Sequence, residues 1–161
     1  MTTQRKHLLS LAAFLLIVPS TAPCQNEAQD VPDDPRASYQ QIDLSKLVPV
    51  SRMTNGTRAI FAPRAVRFHA KLQRMPETQK SDYLKQVMSM MGITSVGEVN
   101  QRVVLEYGGD KPLAAYVENK TAQRIAKELK PGTEHEFYAF HVYNNRYGPA
   151  LVIISFASEG K

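Results

Sequence analysis

The chain has 161 residues and a formal net charge of +5, from 20 Lys and Arg against 15 Asp and Glu. This length suits one domain with a real buried core. After the N-terminal segment no apolar run is long enough to span a membrane, which excludes an integral helical membrane protein.

The N-terminal residues have the order of a secretory signal peptide. A short basic segment, 5–7, precedes the uncharged run "LLSLAAFLLIV" at 8–18, and Pro19 ends it. As a helix this run would reach only about 16 Å, against roughly 30 Å of bilayer hydrocarbon. We therefore expect residues 1–24 to be a signal peptide and the protein to be exported, either secreted or periplasmic.

Cys24 marks the expected cleavage region. Small residues at 20, 22 and 24 suit the processing enzyme, and we predict that the mature chain begins between Pro23 and Asn26. Pro23 stands where a lipoprotein signal has a small residue, so we expect no lipid anchor on Cys24. Cleavage after Cys24 would leave no cysteine, which excludes disulfide scaffolds and thiol catalysis.

The next segment is polar and acidic. It carries Glu27, Asp30, Asp33 and Asp34 against Arg36, with two prolines and almost no apolar residues. Such a composition is typical of disorder. We predict a disordered leader over 25–45 and a single domain over 46–161.

The first regular elements are a strand and a helix. "AVRFHAKL" at 65–72 alternates between apolar and basic residues, which predicts a strand with one buried and one basic face. In the segment after it, Pro76 predicts a helix start and Gly92 its end. The buried stripe of this helix is expected at Leu84, Val87, Met88 and Met91.

The second half predicts a hairpin, a helix and two more strands. "VVLEYGGDKPLAAYV" at 103–117 alternates on both sides of a turn at 108–110. "NKTAQRIAKELKPG" has helical spacing, with Asn119 or Thr121 as cap and Pro131 and Gly132 as the stop. Its apolar stripe is expected at Ala122, Ile125, Ala126 and Leu129. We predict strands at residues 136–143 and 150–157, and we expect other parts of the protein to cover both faces of the second strand.

From residue 64 onward this order resembles the OB-fold, in which three strands, a helix and two strands form a small barrel. The helix after Pro76 would be an insertion between the first two strands. The predicted class is α+β, a small and mostly antiparallel OB-like β-barrel of about five strands with two helices. The resemblance implies a ligand face on the middle strands and adjacent loops, including 108–111 and the turn at 144–148.

That last turn, "NNRYG", joins the two final strands. Asn144, Asn145 and Gly148 tolerate the positive φ angles found in turns, so we predict a hairpin loop of four to six residues. Arg146 and Tyr147 are not needed for a turn. They are therefore candidates for contact with a partner.

No catalytic or metal motif appears in the sequence. His135 and His141 on one strand would lie roughly 20 Å apart, too far to share a metal ion. We predict no metal, no cofactor and no assigned catalytic residue. One alternative is a small hydrolase or isomerase using His141 with Glu134 or Glu136.

The strand at 64–74 is the most basic segment and suggests an anionic partner, such as polysaccharide, envelope polymer or nucleic acid. The function expected is a non-enzymatic binding module. A solvated surface and a structural adaptor docking on an envelope protein are the other interpretations. The candidate ligand-binding residues are Arg64, Arg67, His69, Lys71, Arg74, Tyr143, Arg146 and Tyr147.

Overall fold

A six-stranded mixed sheet and three helices make up the fold, seen in a computed structural model that describes residues 38–54 and 58–157. The elements follow in the order β1 (Gln40–Gln41), α1 (Leu44–Ser51), β2 (Ala59–Thr78), α2 (Asp82–Met90), β3 (Gln101–Tyr107), β4 (Lys111–Val117), α3 (Asn119–Glu128), β5 (Glu134–Asn145) and β6 (Gly148–Phe156).

Hydrogen bonding around the sheet is ring-like. The strand order is β1-β2-β3-β4-β6-β5, and β2 also pairs with β5, which joins the two ends. The long strand β2 makes this possible, because residues 59–71 pair with β5 and residues 71–78 pair with β3. The α+β class is confirmed. The prediction of two helices and about five strands missed α1 and β1.

Strand β2 confirms the predicted alternation but extends further than expected. Val66, Phe68 and Leu72 are buried, whereas His69 and Lys71 are exposed. The helix start predicted at Pro76 is wrong, because the strand continues to Thr78. Pairing with β3 at residues 77 and 78 stabilises this extension.

Helix α2 therefore begins later, at Asp82. The Ser81 side chain caps it by accepting a hydrogen bond from the Leu84 backbone N–H at 3.2 Å. Leu84, Val87 and Met88 are buried as predicted, and Met91 is partly buried against the same cluster.

Helix α3 anchors one face on the sheet. Ala122, Ile125 and Leu129 are buried as predicted, but Ala126 is exposed. The N-cap position is Glu118, not Asn119 or Thr121. The Thr121 hydroxyl instead donates a 2.7 Å hydrogen bond to the Ile154 carbonyl, which ties the helix to β6.

Two hydrophobic clusters cover opposite faces of β6. Leu151 and Ile153 belong to the main cluster, to which every strand from β2 to β6 contributes. Ala150 and Val152 belong to a second cluster with α2. The prediction that this strand is covered on both faces is confirmed.

The two hairpin turns differ in how well they were predicted. The β3–β4 turn at 108–110 is as predicted, and Asp110 has a φ of 58°. The β5–β6 turn is shorter than the predicted four to six residues. Asn144 and Asn145 lie in β5, Asn145 pairs with Gly148, and only Arg146 and Tyr147 connect the strands.

All described residues belong to one compact unit. Part of the range 25–45 predicted as a disordered leader has regular structure, since β1 and the start of α1 lie in it. The predicted signal peptide at 1–24 and the leader before residue 38 lie outside the described residues. No helix among the described residues is long and apolar enough to cross a membrane.

Candidate anion-binding site

A groove of about 630 Å³ lies over β3 and β4, between β2 on one side and the β5–β6 turn on the other. We call it the arginine groove, because four arginines from distant parts of the chain meet there. Its lining residues are Arg52, Arg74, Gln79, Arg102, Val104, Pro112, Leu113, Ala114, Ala115, Tyr116, Asn145, Arg146, Tyr147, Pro149 and Ala150.

Arg74 reaches the groove because β2 contains a bulge. Leu72, which lies in the main hydrophobic cluster, pairs with Leu105, but Arg74 pairs with Val104, so the register shifts by one residue between them. A bulge inserts one residue and changes the face on which the following side chains lie. Arg74 therefore shares the outer face of the sheet with Val104.

Arg102 lies on the same outer face, two residues before Val104 in β3. It pairs in register with Tyr116 of β4 on one side and with Glu77 of β2 on the other. Its Nε donates a 2.7 Å hydrogen bond to Glu77 Oε1. This ion pair orients the guanidinium and neutralises part of its charge.

The opposite wall is built from the end of α1 and the β5–β6 turn. The Met53 backbone N–H donates to the Asn145 carbonyl at 3.1 Å, which brings Arg52 beside the turn. Within the turn, the Tyr147 backbone N–H donates to Asn145 Oδ1 at 2.7 Å. The Arg146 guanidinium lies 4.6 Å from the centre of the Tyr147 ring and hydrogen-bonds its hydroxyl.

The charge of the lining has one sign. It includes four guanidinium groups and, among these described side chains, no Asp or Glu. Within the described part of the chain, Glu77 beside Arg102 is the one carboxylate found within 4.0 Å of a groove arginine. Several like charges around a concave surface focus the electrostatic field and attract anions.

The floor between the two walls is mainly apolar. Val104 pairs in register with Ala114, and Ala150 and Pro149 continue the floor on β6. These side chains are short, which leaves room above the sheet. The groove thus has cationic walls and an apolar floor.

Tyr116 forms one end of the groove, and its hydroxyl contacts two residues that do not line the groove. Its hydroxyl hydrogen-bonds Tyr143 and lies 3.5 Å from Ser81 Oγ. Tyr143 is only 3% exposed and packs edge-on against Tyr83 at 5.1 Å. Burial raises the pKa of Tyr143, so its hydroxyl stays protonated. The predicted candidate Tyr143 thus supports a groove residue and does not line the groove.

Most of the basic strand predicted as the binding face lies outside the groove, and acidic side chains lie next to its charges. Glu136 lies 3.7 Å from Arg67 and 3.9 Å from His69. Lys71 Nζ donates a 3.0 Å hydrogen bond to Glu106, which raises the pKa of that lysine. The positive charges of Arg67 and Lys71 are therefore partly neutralised.

Arg64, the other candidate on this strand, lies near its start. It pairs in register with His141, and its guanidinium is 5.7 Å from the Phe61 ring centre. Of the eight predicted site residues, the groove brings together Arg74, Arg146 and Tyr147. It does not include Arg64, Arg67, His69, Lys71 or Tyr143.

The groups considered for catalysis have separate partners. His141 is 6% exposed, its Nε2 lies 2.7 Å from Asn144 Oδ1, and burial lowers its pKa. Glu136 accepts a 2.6 Å hydrogen bond from the Tyr138 hydroxyl, and Glu134 pairs in register with Lys71. Within residues 38–54 and 58–157, no three His, Cys, Asp or Glu side chains are placed to hold a metal ion.

Two groove arginines were missed by reasoning from the sequence. The alternation in β3 would have placed Arg102 on the same side as Val104, so a signal for its exposure was present. Arg52 follows a helix that the sequence did not predict, and no periodicity pointed to it.

Searches of protein-family models, curated proteins and solved structures find no match to this chain. The interpretation of the groove therefore depends on its own geometry and charge.

Proposed function

We propose that this protein is an exported, non-enzymatic binding module that holds an anionic partner in the arginine groove. The observation that carries the proposal is the meeting of Arg52, Arg74, Arg102 and Arg146 around one cavity, with no carboxylate among the described residues of its lining. Export is inferred from the N-terminal pattern of the sequence.

The position of the groove supports the proposal. We propose that the ring of β2 to β6 is a small OB-like barrel with α2 inserted between its first two strands, since β2, β3 and β4 are followed by α3 and then by β5 and β6. OB-folds bind ligands on their middle strands and on the adjacent loops. The groove floor on β3 and β4, and its wall at the β5–β6 turn, correspond to that face.

The choice of arginine supports binding of oxyanions. A guanidinium offers five N–H donors in a planar fork that fits a carboxylate or phosphate through two parallel hydrogen bonds. None of the described residues that line the groove is a lysine. A solvated surface kept only for solubility would not need four groups of this type around one cavity.

The proposal can be tested with two matched double variants that remove the same charge. Arg74→Gln with Arg146→Gln removes charge from the groove, and Arg67→Gln with Lys71→Gln removes it from the basic strand. Binding of a short duplex DNA, used as a generic polyanion, would be measured by fluorescence anisotropy across a salt series.

Each phosphate contact contributes about 0.9 to the slope of log affinity against log salt. We expect the groove variant to flatten this slope by about two units and the strand variant to change it little. Equal losses in both variants, or stronger loss in the strand variant, would place binding outside the groove. A wild-type protein that shows no salt-dependent binding would contradict the proposed function itself.

A further inference from the structure

We infer that the arginine groove recognises a small organic acid with an apolar body and an anionic group at each end. This inference rests on the proposed function, because it specifies the anion that the groove binds. It follows from the arrangement of charges around the floor.

The four arginines stand on two separated walls. Arg74 and Arg102 come from β2 and β3, whereas Arg52 and Arg146 lie at the end of α1 and at the turn leading into β6. From β2 to β6 the sheet crosses three strand spacings in the order β2-β3-β4-β6. Adjacent strands are about 4.8 Å apart, so the backbone of β6 lies about 14 Å from that of β2 and about 10 Å from that of β3.

The surface between the walls is mainly apolar. Its exposed members are Pro112 and Ala114, with the partly exposed Tyr116 side chain at one end, whereas Val104, Pro149 and Ala150 are buried. A ligand with an apolar middle would cover that surface, which is favourable, while its charged ends reach the two walls.

The size of the groove agrees with a small ligand. Sites for small molecules and cofactors enclose about 300 to 1,000 Å³ and combine an apolar lining with a few placed polar groups. At about 630 Å³ the groove falls within this range. Gln79 and Asn145 at its margins add amide groups to the charged walls.

Each wall also favours a carboxylate or phosphate at its end of the ligand. Arg102 is oriented by Glu77, and Arg146 by its contact with Tyr147. A guanidinium held in place loses less side-chain freedom when it forms a bidentate pair. A single anionic group would engage one wall and leave the other exposed.

The test uses the mature protein and a series of linear dicarboxylates from succinate to dodecanedioate, with decanoate as a monoanion matched in length to decanedioate. Binding would be measured by isothermal titration calorimetry or by NMR chemical-shift titration. We expect affinity to rise with chain length to an optimum, where the dianion binds about tenfold more tightly than decanoate.

Variants separate the contributions of the walls and the floor. Arg74→Gln or Arg146→Gln alone should reduce decanedioate affinity towards that of decanoate, because either change removes one of the two arginines of a wall and so weakens one end contact. Ala114→Asn, at an exposed floor position, should weaken decanedioate binding several-fold, because it places a polar side chain where the apolar middle of the ligand would lie. The Arg67→Gln and Lys71→Gln variant serves as the control and should bind decanedioate normally.

The outcomes distinguish this inference from the proposed function. If DNA binding depends on Arg74 and Arg146 but dicarboxylates show no preferred length and no advantage over decanoate, the inference is wrong and the anion-binding function stands. If neither DNA nor any dicarboxylate binds, both are wrong.

Discussion

His141 shows how its surroundings set the chemistry of a single residue. Its ring lies 4.7 Å from the Phe61 ring, edge to face, and its partner in the ladder is the cationic Arg64. Burial lowers the pKa of His141, and the charge of Arg64 lowers it further, although the hydrogen bond with Asn144 acts in the opposite direction. The neutral imidazole is therefore the form that the fold stabilises.

This arrangement predicts a loss of stability in mild acid. In the unfolded chain His141 takes up a proton below about pH 6.5, but in the folded chain it does so only at lower pH. The unfolded state then binds more protons, so the free energy of unfolding should fall as the pH drops below 6.5. Urea denaturation at pH values from about 7.5 to about 5 would measure this fall.

One substitution checks that His141 is the cause. His141→Gln should reduce the pH dependence of the free energy of unfolding in that window. An unchanged pH dependence in His141→Gln would show that other groups are responsible.

Arg74 marks the limit of prediction from the sequence at the scale of single residues. Strict alternation along β2 would place Arg74 on the same face as Leu72, towards the core. The bulge after Leu72 reverses that assignment. Bulges arise from pairing with a neighbouring strand, so a pattern read along one strand cannot reveal them.

Among the elements, α3 is the one that the sequence predicted best. Its apolar spacing is regular and its stop at Pro131 and Gly132 is clear, and the structure confirms the buried positions except Ala126. The extension of β2 through Pro76 was not predictable in the same way. It depends on the partner residues of β3, which lie far along the chain.

The burial of α3 predicts a clear difference between its faces. Ile125 is 0% exposed and Leu129 5%, so changing either to Ala should lower the free energy of unfolding by about 2 to 5 kcal/mol. Lys127→Ala, on the exposed face, should change it by less than about 0.5 kcal/mol. Chemical denaturation of the three variants measures both effects, and equal midpoints would mean that the face assignment is wrong.

The β5–β6 turn predicts a second difference, between two glycines. Gly148 has a φ of 122°, and a Cβ added there would lie 3.3 Å from Val48 Cγ1. Gly109 has a φ of 82° and no heavy atom within 4 Å of such a Cβ. Both changes to Ala strain the backbone, by roughly 1 kcal/mol or more.

Gly148→Ala should therefore cost more than Gly109→Ala, because it adds a steric contact to the same kind of backbone strain. It should also weaken anion binding, since Arg146 and Tyr147 lie in the turn that Gly148 closes. Thermal denaturation and DNA binding of both variants provide the comparison. A greater loss in Gly109→Ala would contradict the role assigned to the contact with Val48.

At the scale of the whole molecule, the ring of strands brings distant residues together. The four groove arginines lie between residues 52 and 146, on four separate segments of the chain. The sequence showed that basic residues were present and where several strands would form. It did not show which arginines would share a surface, because that depends on the pairing of β2 with both β3 and β5.

The basic strand that stood out in the sequence illustrates the same limit. Its alternation was read correctly, but the neighbouring strands supply Glu106 and Glu136 next to its charges. Cross-strand partners of opposite charge follow from register, which the sequence of one strand does not contain. Among the described residues the arginine groove has fewer such partners, which is why we propose it as the site for an anion.

An NMR titration of ¹⁵N-labelled protein with a short duplex DNA would locate the anion directly. We predict that the largest amide shifts fall on the groove, at Val104, Ala114, Ala150 and the turn at 146–147, and that they decrease as salt is added. Largest shifts at residues 67–71, or no shifts at low salt, would contradict anion binding in the arginine groove.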